Sequence, residues 1–244
     1  NKIVGFNAHI TIKPYSEKIE INDNKKQVLE KFSSEFILSN SGEAIIIKND
    51  ISKGILLRGY NNKDFSKLKI VKDEKFIGDK DNLAKNHISI GKELSFILDL
   101  KIGDNITLLS SSGVETIIGN LPRQKTFKVT SLYESGLIDF DNNIAFINLN
   151  TLEEFFNLDS DKRNLEIYLK NPKNIEKQKL FVQNIFPNEF IYTWSDMNKS
   201  LFSALKIERN VMFIILSLII IVAAFNIISG LTILVKNKTR EIAI

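Results

Sequence analysis

The sequence predicts an α+β domain followed by a long helix that continues into a membrane-spanning segment. Two observations lead to this prediction. Strand-like and helix-like segments are intermixed through residues 1–194, and a predicted helix follows in which the stretch Val211–Val235 carries no charge. The composition is that of a folded chain, because 43% of the 244 residues are hydrophobic and 25% are charged. We therefore expect little disorder.

Eight segments of the domain have the composition of strands. They are rich in β-branched and aromatic residues and are bounded by Gly, Asn, Asp or Ser. The segments are AHITIK, EAIIIK, GILLRGY, NITLLS, KTFKVTSLYE, NIAFINL, LEIYLK and FIYTW.

Four further segments are predicted to be helices. They are NKKQVLEKFSSEF, GKELSFILDL, TLEEFFNL and NIEKQKLFVQNIF. Thr151 begins the third of them with Glu154 three residues later, which is the pattern of a capping box. Gly103 and Asp104 predict a turn from helix to strand.

The C-terminal segment has the length and composition of a membrane crossing. Residues Val211–Val235 carry no charge, and as a helix they span roughly 37 Å, whereas a bilayer core needs about 20 residues. Ser195 is typical of an N-cap, so we expect one helix of about 40 residues from there to Val235. Four charged residues follow this span and predict a cytoplasmic flank: Lys236, Lys238, Arg240 and Glu241. The basic residues among them place the C-terminal end in the cytoplasm.

These patterns set the expected domain boundaries. Residues 1–194 form the domain outside the cytoplasm, 195–210 a juxtamembrane helix, 211–235 the transmembrane helix and 236–244 the start of a cytoplasmic segment. Because the chain begins with Asn1 and ends abruptly, we expect a fragment of a longer membrane protein. Asn226, Ser229 and Gly230 are polar or small residues inside the span, which favours packing against another membrane helix over simple tolerated polarity.

The chemistry of a catalytic or metal site is missing from the sequence. There is no cysteine, and the two histidines, His9 and His87, have no metal-ligand spacing. The run DFDNN, Asp139–Asn143, lacks the glycine and glutamate of a calcium loop and predicts a turn instead. No phosphate-binding loop and no Arg-rich stripe for nucleic acid are present. We therefore expect no enzyme activity, cofactor, metal or nucleic acid in this chain.

The stretch SSGVETIIGNLPRQ lies between the segments ITLLS and KTFKV. Two β-rich segments that flank a stretch with Gly and Pro predict a hairpin with a protruding tip. From the residues alone the tip is either a solvated connection or a partner site. Its apolar members Ile117, Ile118 and Leu121 favour the second reading only if they are exposed.

Several separated segments resemble a known family. LFSALKIERNVMFIILSLIIIVAAFNIISGLTILVKNKTREIAI, IGKELSFILDLKIGDNITLLS, LPRQKTFKVTSLYESGLIDFDNNIAFINL and the opening GFNAHI are similar to the C and E permease subunits (LolC and LolE) of the Lol lipoprotein-releasing ABC transporters. The match covers most of residues 90–244 and, more thinly, the first 60.

The resemblance implies four membrane helices, with a MacB-like periplasmic domain between the first two. It implies an inner-membrane complex with a separate LolD-like ATPase and a second permease subunit, which extracts lipoproteins and passes them to a periplasmic LolA-like carrier.

The resemblance also gives a role to the hairpin tip. In the carrier-binding permease of this family the corresponding stretch is a projecting hook that docks the carrier. Thr116, Gly119, Pro122 and the following KTF keep its outline, whereas Ile117 stands where a proline is common. The expected carrier-binding residues are Thr116, Ile117, Ile118, Gly119, Asn120, Leu121, Pro122 and Arg123. We expect Arg123 to pair with an acidic rim on the carrier.

Three other readings remain open at this stage. A related FtsX-like permease regulates cell-wall hydrolases by mechanotransmission, and a MacB-like permease serves an exporter. A single-pass sensor with a ligand-binding outer domain is the third. The sensor predicts a signalling domain after Ile244, whereas the permease predicts two more membrane helices.

Overall fold

The structure is a computed structural model that describes residues 6–48, 51–116 and 119–242. The strands are β1 (Ile10–Lys13), β2 (Ser33–Lys48), β3 (Ile51–Tyr60), β4 (Ile77–Gly78), β5 (His87–Gly91), β6 (Asn105–Thr116), β7 (Gly119–Tyr133), β8 (Ile144–Asn148), β9 (Asn164–Leu169) and β10 (Phe190–Thr193). The helices are α1 (Asp23–Phe32), α2 (Asn62–Phe65), α3 (Lys69–Lys72), α4 (Lys92–Ile97), α5 (Ile138–Asn143), α6 (Leu149–Phe156), α7 (Ile175–Ile185), α8 (Trp194–Met197) and α9 (Lys199–Ile242). The α+β class and the long apolar helix predicted from the sequence are confirmed.

The chain divides into two compact units, one up to Trp194 and the other from Ser195. The second unit is dominated by α9, whose 44 residues extend over roughly 66 Å at about 1.5 Å per residue. Helix α9 contains the whole predicted span Val211–Val235, but it begins at Lys199 and is separate from α8, so the prediction of one helix from Ser195 is wrong at its start. Helix α8 already begins at Trp194, so Ser195 lies inside a first turn and the N-cap prediction is wrong.

Six strands of the first unit form a closed circuit of pairings. In order around it they are β2, β3, β8, β5, β7 and β6, which pairs back to β2. We call this circuit the barrel. Closure removes the free edges that open sheets leave. Its interior holds fully buried side chains from these strands, including Ile46, Leu57, Ile88, Leu108 and Phe127.

Three further strands join part of β2 in a four-stranded sheet in the order β10–β1–β9–β2, and the short β4 pairs with β7. Strand β2 is shared, because Ser33–Ser39 pairs with β9 and Ala44–Lys48 pairs inside the barrel. Helices α1 and α7 contribute the buried Leu29 and Val182 to the apolar cluster that includes β1 and β9. The long strand β2 therefore joins the two parts covalently.

A local signal explains where α1 begins but not where it ends. The Asn22 side chain accepts a hydrogen bond from the Lys25 amide at 2.9 Å, which caps α1. Helix α1 ends at Phe32, and the following SSEF belongs to β2, where the sequence had predicted more helix. Pairing of these residues with β9 overrides the helix that their sequence pattern predicts.

Two sequence predictions near α5 and α6 are wrong. Asn148, not Thr151, caps α6 by accepting from two backbone amides, and the Thr151 hydroxyl donates to the Lys85 carbonyl instead. The DFDNN run lies in the short helix α5 and not in a turn. Its Asp141 is buried and accepts from the Ser135 amide at 2.9 Å, so a structural bond occupies this carboxylate.

Candidate functional site

The hairpin β6–β7 continues past the barrel as a two-stranded ribbon. Gly113 pairs with Pro122, Val114 with Leu121 and Thr116 with Gly119. A register shift between Leu109 and Gly113 separates this ribbon from the barrel half of the strands. We call Gly113–Thr116 together with Gly119–Arg123 the arm. Four residues at about 3.3 Å each give the arm a length of roughly 13 Å.

The arm presents an apolar side chain to solvent. Leu121 is 52% exposed, and Pro122 next to it is also exposed. Pro122 has no backbone N–H to donate, and proline is tolerated in a strand at an edge or a bulge. Ile117 and Ile118 of the predicted hook lie outside the described residues. The predicted hairpin is present. Its strands continue to Thr116 and Gly119, so most of the stretch that was predicted to form a protruding tip is paired β-strand.

Arg123 stands at the base of the arm rather than free in solvent. Its Nη1 donates a 2.6 Å hydrogen bond to the backbone carbonyl of Glu154, on α6. The last four carbonyls of a helix have no partner within the helix, so this guanidinium caps the C-terminal turn of α6. The role expected for Arg123 at a carrier's acidic rim stays a prediction.

The second predicted set of site residues lies on α9. Asn226, Ser229 and Gly230 are exposed. A Cβ atom on Gly230 would meet no heavy atom within 4 Å among the described residues. This position therefore leaves room for close approach of another helix.

Polar groups on α9 differ in how their hydrogen bonds are satisfied. The Ser217 hydroxyl donates to the Phe213 carbonyl and the Thr232 hydroxyl to the Ile228 carbonyl, both at 2.8 Å. Such bonds to the carbonyl four residues earlier satisfy a hydroxyl in lipid. The side-chain amide of Asn226 makes no comparable bond within the described chain. Inside a membrane, such a polar group favours a partner outside the helix.

By length and composition, α9 has one segment suited to cross a membrane, Phe202–Lys236, with a mean hydropathy of 3.0 in its most apolar window. None of that window is buried in the described structure. Lys236, Lys238, Arg240 and Glu241 continue the same helix, which ends at Ile242. The basic flank thus follows the apolar surface without a break.

A buried polar cluster that sequence reasoning missed lies between the four-stranded sheet and the barrel. The Glu166 carboxylate on β9 accepts a 2.9 Å bond from the Arg58 guanidinium on β3. Ser39 donates to it at 2.6 Å, Tyr60 at 2.9 Å and Tyr168 at 3.0 Å. The cluster therefore ties strands β2, β3 and β9 together.

Electrostatics keep the Arg58–Glu166 pair of this cluster ionised. Burial alone would raise the pKa of Glu166, but the Arg58 charge and the hydrogen bonds from Ser39, Arg58 and Tyr60 lower it overall. Burial also raises the pKa of Tyr60 well above its ordinary value. One sequence signal pointed here: Arg58 is one of only five arginines in a lysine-rich chain, and Arg is the residue suited to buried ion pairs.

These observations define a class of protein. A folded α+β domain carries a projecting arm with an exposed apolar residue, and its chain continues into a helix suited to cross a membrane. Within the described residues no group of three or more His, Cys, Asp or Glu side chains is placed to hold a metal ion. The chain thus combines an α+β domain with a helix that is long and apolar enough to cross a membrane.

Comparison with named proteins shows which membrane proteins the chain resembles. It is 28% identical over 93% of its length to the lipoprotein-releasing system transmembrane protein LolC of Neisseria meningitidis, covering 54% of that protein. It is 29% identical over 82% of its length to LolC of Xylella fastidiosa, covering 49%, and 29% identical over 100% to LolC of Buchnera aphidicola, covering 61%. The chain spans about half the length of the first two. The resemblance seen in the sequence is confirmed.

Other comparisons add little. No family model matches the chain. The periplasmic region of MacB from Actinobacillus actinomycetemcomitans superposes with a TM-score of 0.47 and 11% identity, covering 82% of this chain and 94% of that one. The extracellular domain of the transporter YknZ superposes with a TM-score of 0.42 and 13% identity, covering 75% and 100%. Both scores are too low to carry an inference about this chain.

Proposed function

We propose that this chain is part of a permease subunit of an ABC transporter. The transporter releases outer-membrane lipoproteins from the inner membrane to a periplasmic carrier. The observation that carries the proposal is the similarity to LolC of N. meningitidis over 93% of the chain. The exposed apolar helix and the projecting arm supply the two kinds of surface that such a subunit needs.

The energetics of lipoprotein release explain the proposed partners. Withdrawing an acyl chain from a bilayer costs about 0.8 kcal/mol per buried CH₂, so a lipoprotein with several chains does not leave unaided. The 244 residues contain no phosphate-binding loop. In line with the resemblance to the Lol permeases, the proposal assigns ATP hydrolysis to a separate, LolD-like subunit, and the permease passes the resulting motion to the lipoprotein.

The proposed location follows from the flanks of the apolar segment. Lys236, Lys238 and Arg240 lie in the cytoplasm and the α+β domain lies in the periplasm, as the positive-inside rule favours. A reporter or cysteine label placed after Ile244 is then reached only from the cytoplasmic side of the inner membrane. Labelling from the periplasmic side of intact membranes would contradict this orientation.

The arm is the proposed docking site for the LolA-like carrier. Leu121 is more than half exposed and is therefore available to a partner, and the resemblance of this stretch to the carrier-binding hook supports the assignment. Pro122 restricts the backbone beside it and lowers the ordering cost of binding. Ion pairs on the rim would affect mainly the rate of association.

Deletion of Ile117–Pro122, or Ile118→Asp combined with Leu121→Asp, tests the carrier site. We expect the full-length variant complex to assemble and hydrolyse ATP but to lose recovery of the purified carrier in a pull-down. Lys26→Asp, on the exposed surface of α1, is the matched control and should leave recovery unchanged. Equal carrier recovery by wild type and arm variants would show that the arm only connects β6 to β7 and does not bind the carrier.

A further inference from the structure

Three arginines of the α+β domain each connect segments that are distant in sequence. Arg58 joins β3 to β9 through Glu166. Arg123 joins the arm to α6. Arg163, which directly precedes β9, joins the four-stranded sheet to α6 as well. The last two contacts meet on the same helix.

Arg163 and Glu153 form a forked ion pair. Arg163 Nε lies 2.7 Å from Glu153 Oε1, and one terminal nitrogen lies 2.7 Å from Oε2. That same nitrogen donates to the Asn150 side chain at 3.1 Å. The side chains are 23% and 9% exposed. Hydrogen bonding to Glu153 raises the pKa of Arg163, and the two-pronged geometry fixes direction as well as distance.

The two arginines hold adjacent residues of α6. Arg163 binds the side chain of Glu153, and Arg123 binds the backbone carbonyl of Glu154. Any rotation of the last turn of α6 about its axis must therefore disturb both contacts. The helix links the beginning of β9 to the base of the arm.

Close packing makes α6 a stiff link. Leu152, Phe155 and Phe156 are buried in the barrel core. A Cβ atom on Gly42 of β2 would lie 2.7 Å from the Phe156 ring, so the strand and the helix are already in close contact. Closely packed interiors transmit displacement instead of absorbing it.

We propose that Arg163 and Glu153 are positioning residues for the arm, acting through α6 and Arg123. The orientation of the arm is thereby coupled to the four-stranded sheet, whose strand β10 leads directly into the chain of the membrane helix. The coupling concerns the geometry of the arm and holds whether or not the arm binds a carrier.

Spin-label distances in the full-length protein test the coupling. The 244 residues contain no cysteine, so labels attached at Leu121→Cys on the arm and Lys26→Cys on α1 meet no competing thiol in them. We expect one narrow distance distribution in the parent protein. Arg123→Gln should widen it at least twofold, and so should Arg163→Gln, although Arg163 does not touch the arm.

Matched controls separate coupling from loss of fold. Lys85→Gln removes the exposed ion pair with Glu154 and should leave the distribution narrow. A label pair at Lys26 and Lys177, on α1 and α7, should stay narrow in every variant and reports that the four-stranded sheet is intact. If Arg163→Gln broadens the distance distribution of this reference pair, the milder variant Glu153→Gln is used in its place.

The outcomes are distinct. Widening by Arg123→Gln together with Arg163→Gln or Glu153→Gln supports the coupling. If Arg123→Gln widens the distribution while the folded Arg163 and Glu153 variants do not, Arg123 acts locally and the coupling is overturned. A narrow distribution in all variants also overturns it, because the arm is then held without these contacts.

Discussion

The two halves of the hairpin β6–β7 belong to the same strands but lie in different surroundings. In the barrel half, Leu108 and Phe127 are fully buried, and Phe127 packs edge-on against Phe155. In the arm, Leu121 is 52% exposed, and the arm strands pair only with each other among the described residues. Packing of the domain accounts for the first half. It does not account for the exposed Leu121 in the second half, which is why we propose that the arm contacts a partner.

The same contrast separates the barrel core from α9. Both are apolar, but the barrel side chains are covered by their neighbours whereas those of Phe202–Lys236 are not. A helix that is apolar on all sides is stable only where lipid or another protein surrounds it. Substitutions should therefore have different consequences in the covered and uncovered regions.

The largest expected effect on folding is in the barrel half of the hairpin. Phe127→Ala removes a fully buried ring and should lower the free energy of unfolding by about 3–5 kcal/mol. Thermal unfolding of the detergent-solubilised protein, followed by circular dichroism, measures this. An unchanged transition would show that the barrel core does not carry the stability of the domain.

Breaking the buried ion pair between Arg58 and Glu166 should lower the free energy of unfolding by a similar amount, and the loss should depend on pH. Glu166→Gln leaves Arg58 buried without its counter-charge and should cost about 3 kcal/mol near neutral pH. Because the pKa of Glu166 lies below its ordinary value of 4.5, its stabilisation is present above that pH and is lost as the pH falls through the lower folded-state pKa.

Unfolding measured from pH 7 down to pH 2 checks this sign. The stability curves of wild type and Glu166→Gln should converge at acid pH. A constant difference across the whole range would mean that the carboxylate does not titrate with folding.

The uncovered helix should respond in assembly instead of folding. Gly230→Leu widens the space between helices, so we expect a several-fold loss of the second permease subunit on purification of the complex, with an unchanged α+β domain. Gly230→Ala is the matched control and should have a smaller effect. Normal recovery with Gly230→Leu would indicate that this face of α9 meets only lipid.

The smallest effect on stability is expected in the arm. Leu121→Asp replaces an exposed side chain and should change the free energy of unfolding by no more than about 0.5 kcal/mol. Thermal unfolding followed by circular dichroism measures this change, with Phe127→Ala as the contrasting variant. A large destabilisation would show that the arm packs against the domain and would weaken its assignment as a partner site.

The sequence carries much of the fold because strand composition and helix spacing are local properties. All eight predicted strands are present, and Gly103 adopts the positive φ of the predicted turn. The first half of β2 was missed because its serines and glutamate resemble a helix end. Its partners on β9 are about 130 residues away in sequence, and no local pattern records them.

The candidate site was predictable only in part for the same reason. The arm was visible as two β-rich segments around Gly119 and Pro122. The contact of Arg123 with the Glu154 carbonyl and the pair Arg58–Glu166 arise from tertiary packing. Glu166 alternates with apolar residues in its strand, a pattern that suggests an exposed face, yet the fold covers it with Tyr60 and Tyr168.

One measurement tests the central claim most directly. The full-length protein is reconstituted with the proposed ATPase and second permease subunit in liposomes that contain an acylated lipoprotein, and ATP and a soluble LolA-like carrier are added. The account predicts that lipoprotein appears in the soluble fraction bound to the carrier, that this requires ATP, and that deletion of Ile117–Pro122 prevents the transfer. An intact complex that hydrolyses ATP but leaves all lipoprotein in the liposomes would contradict a lipoprotein-releasing function.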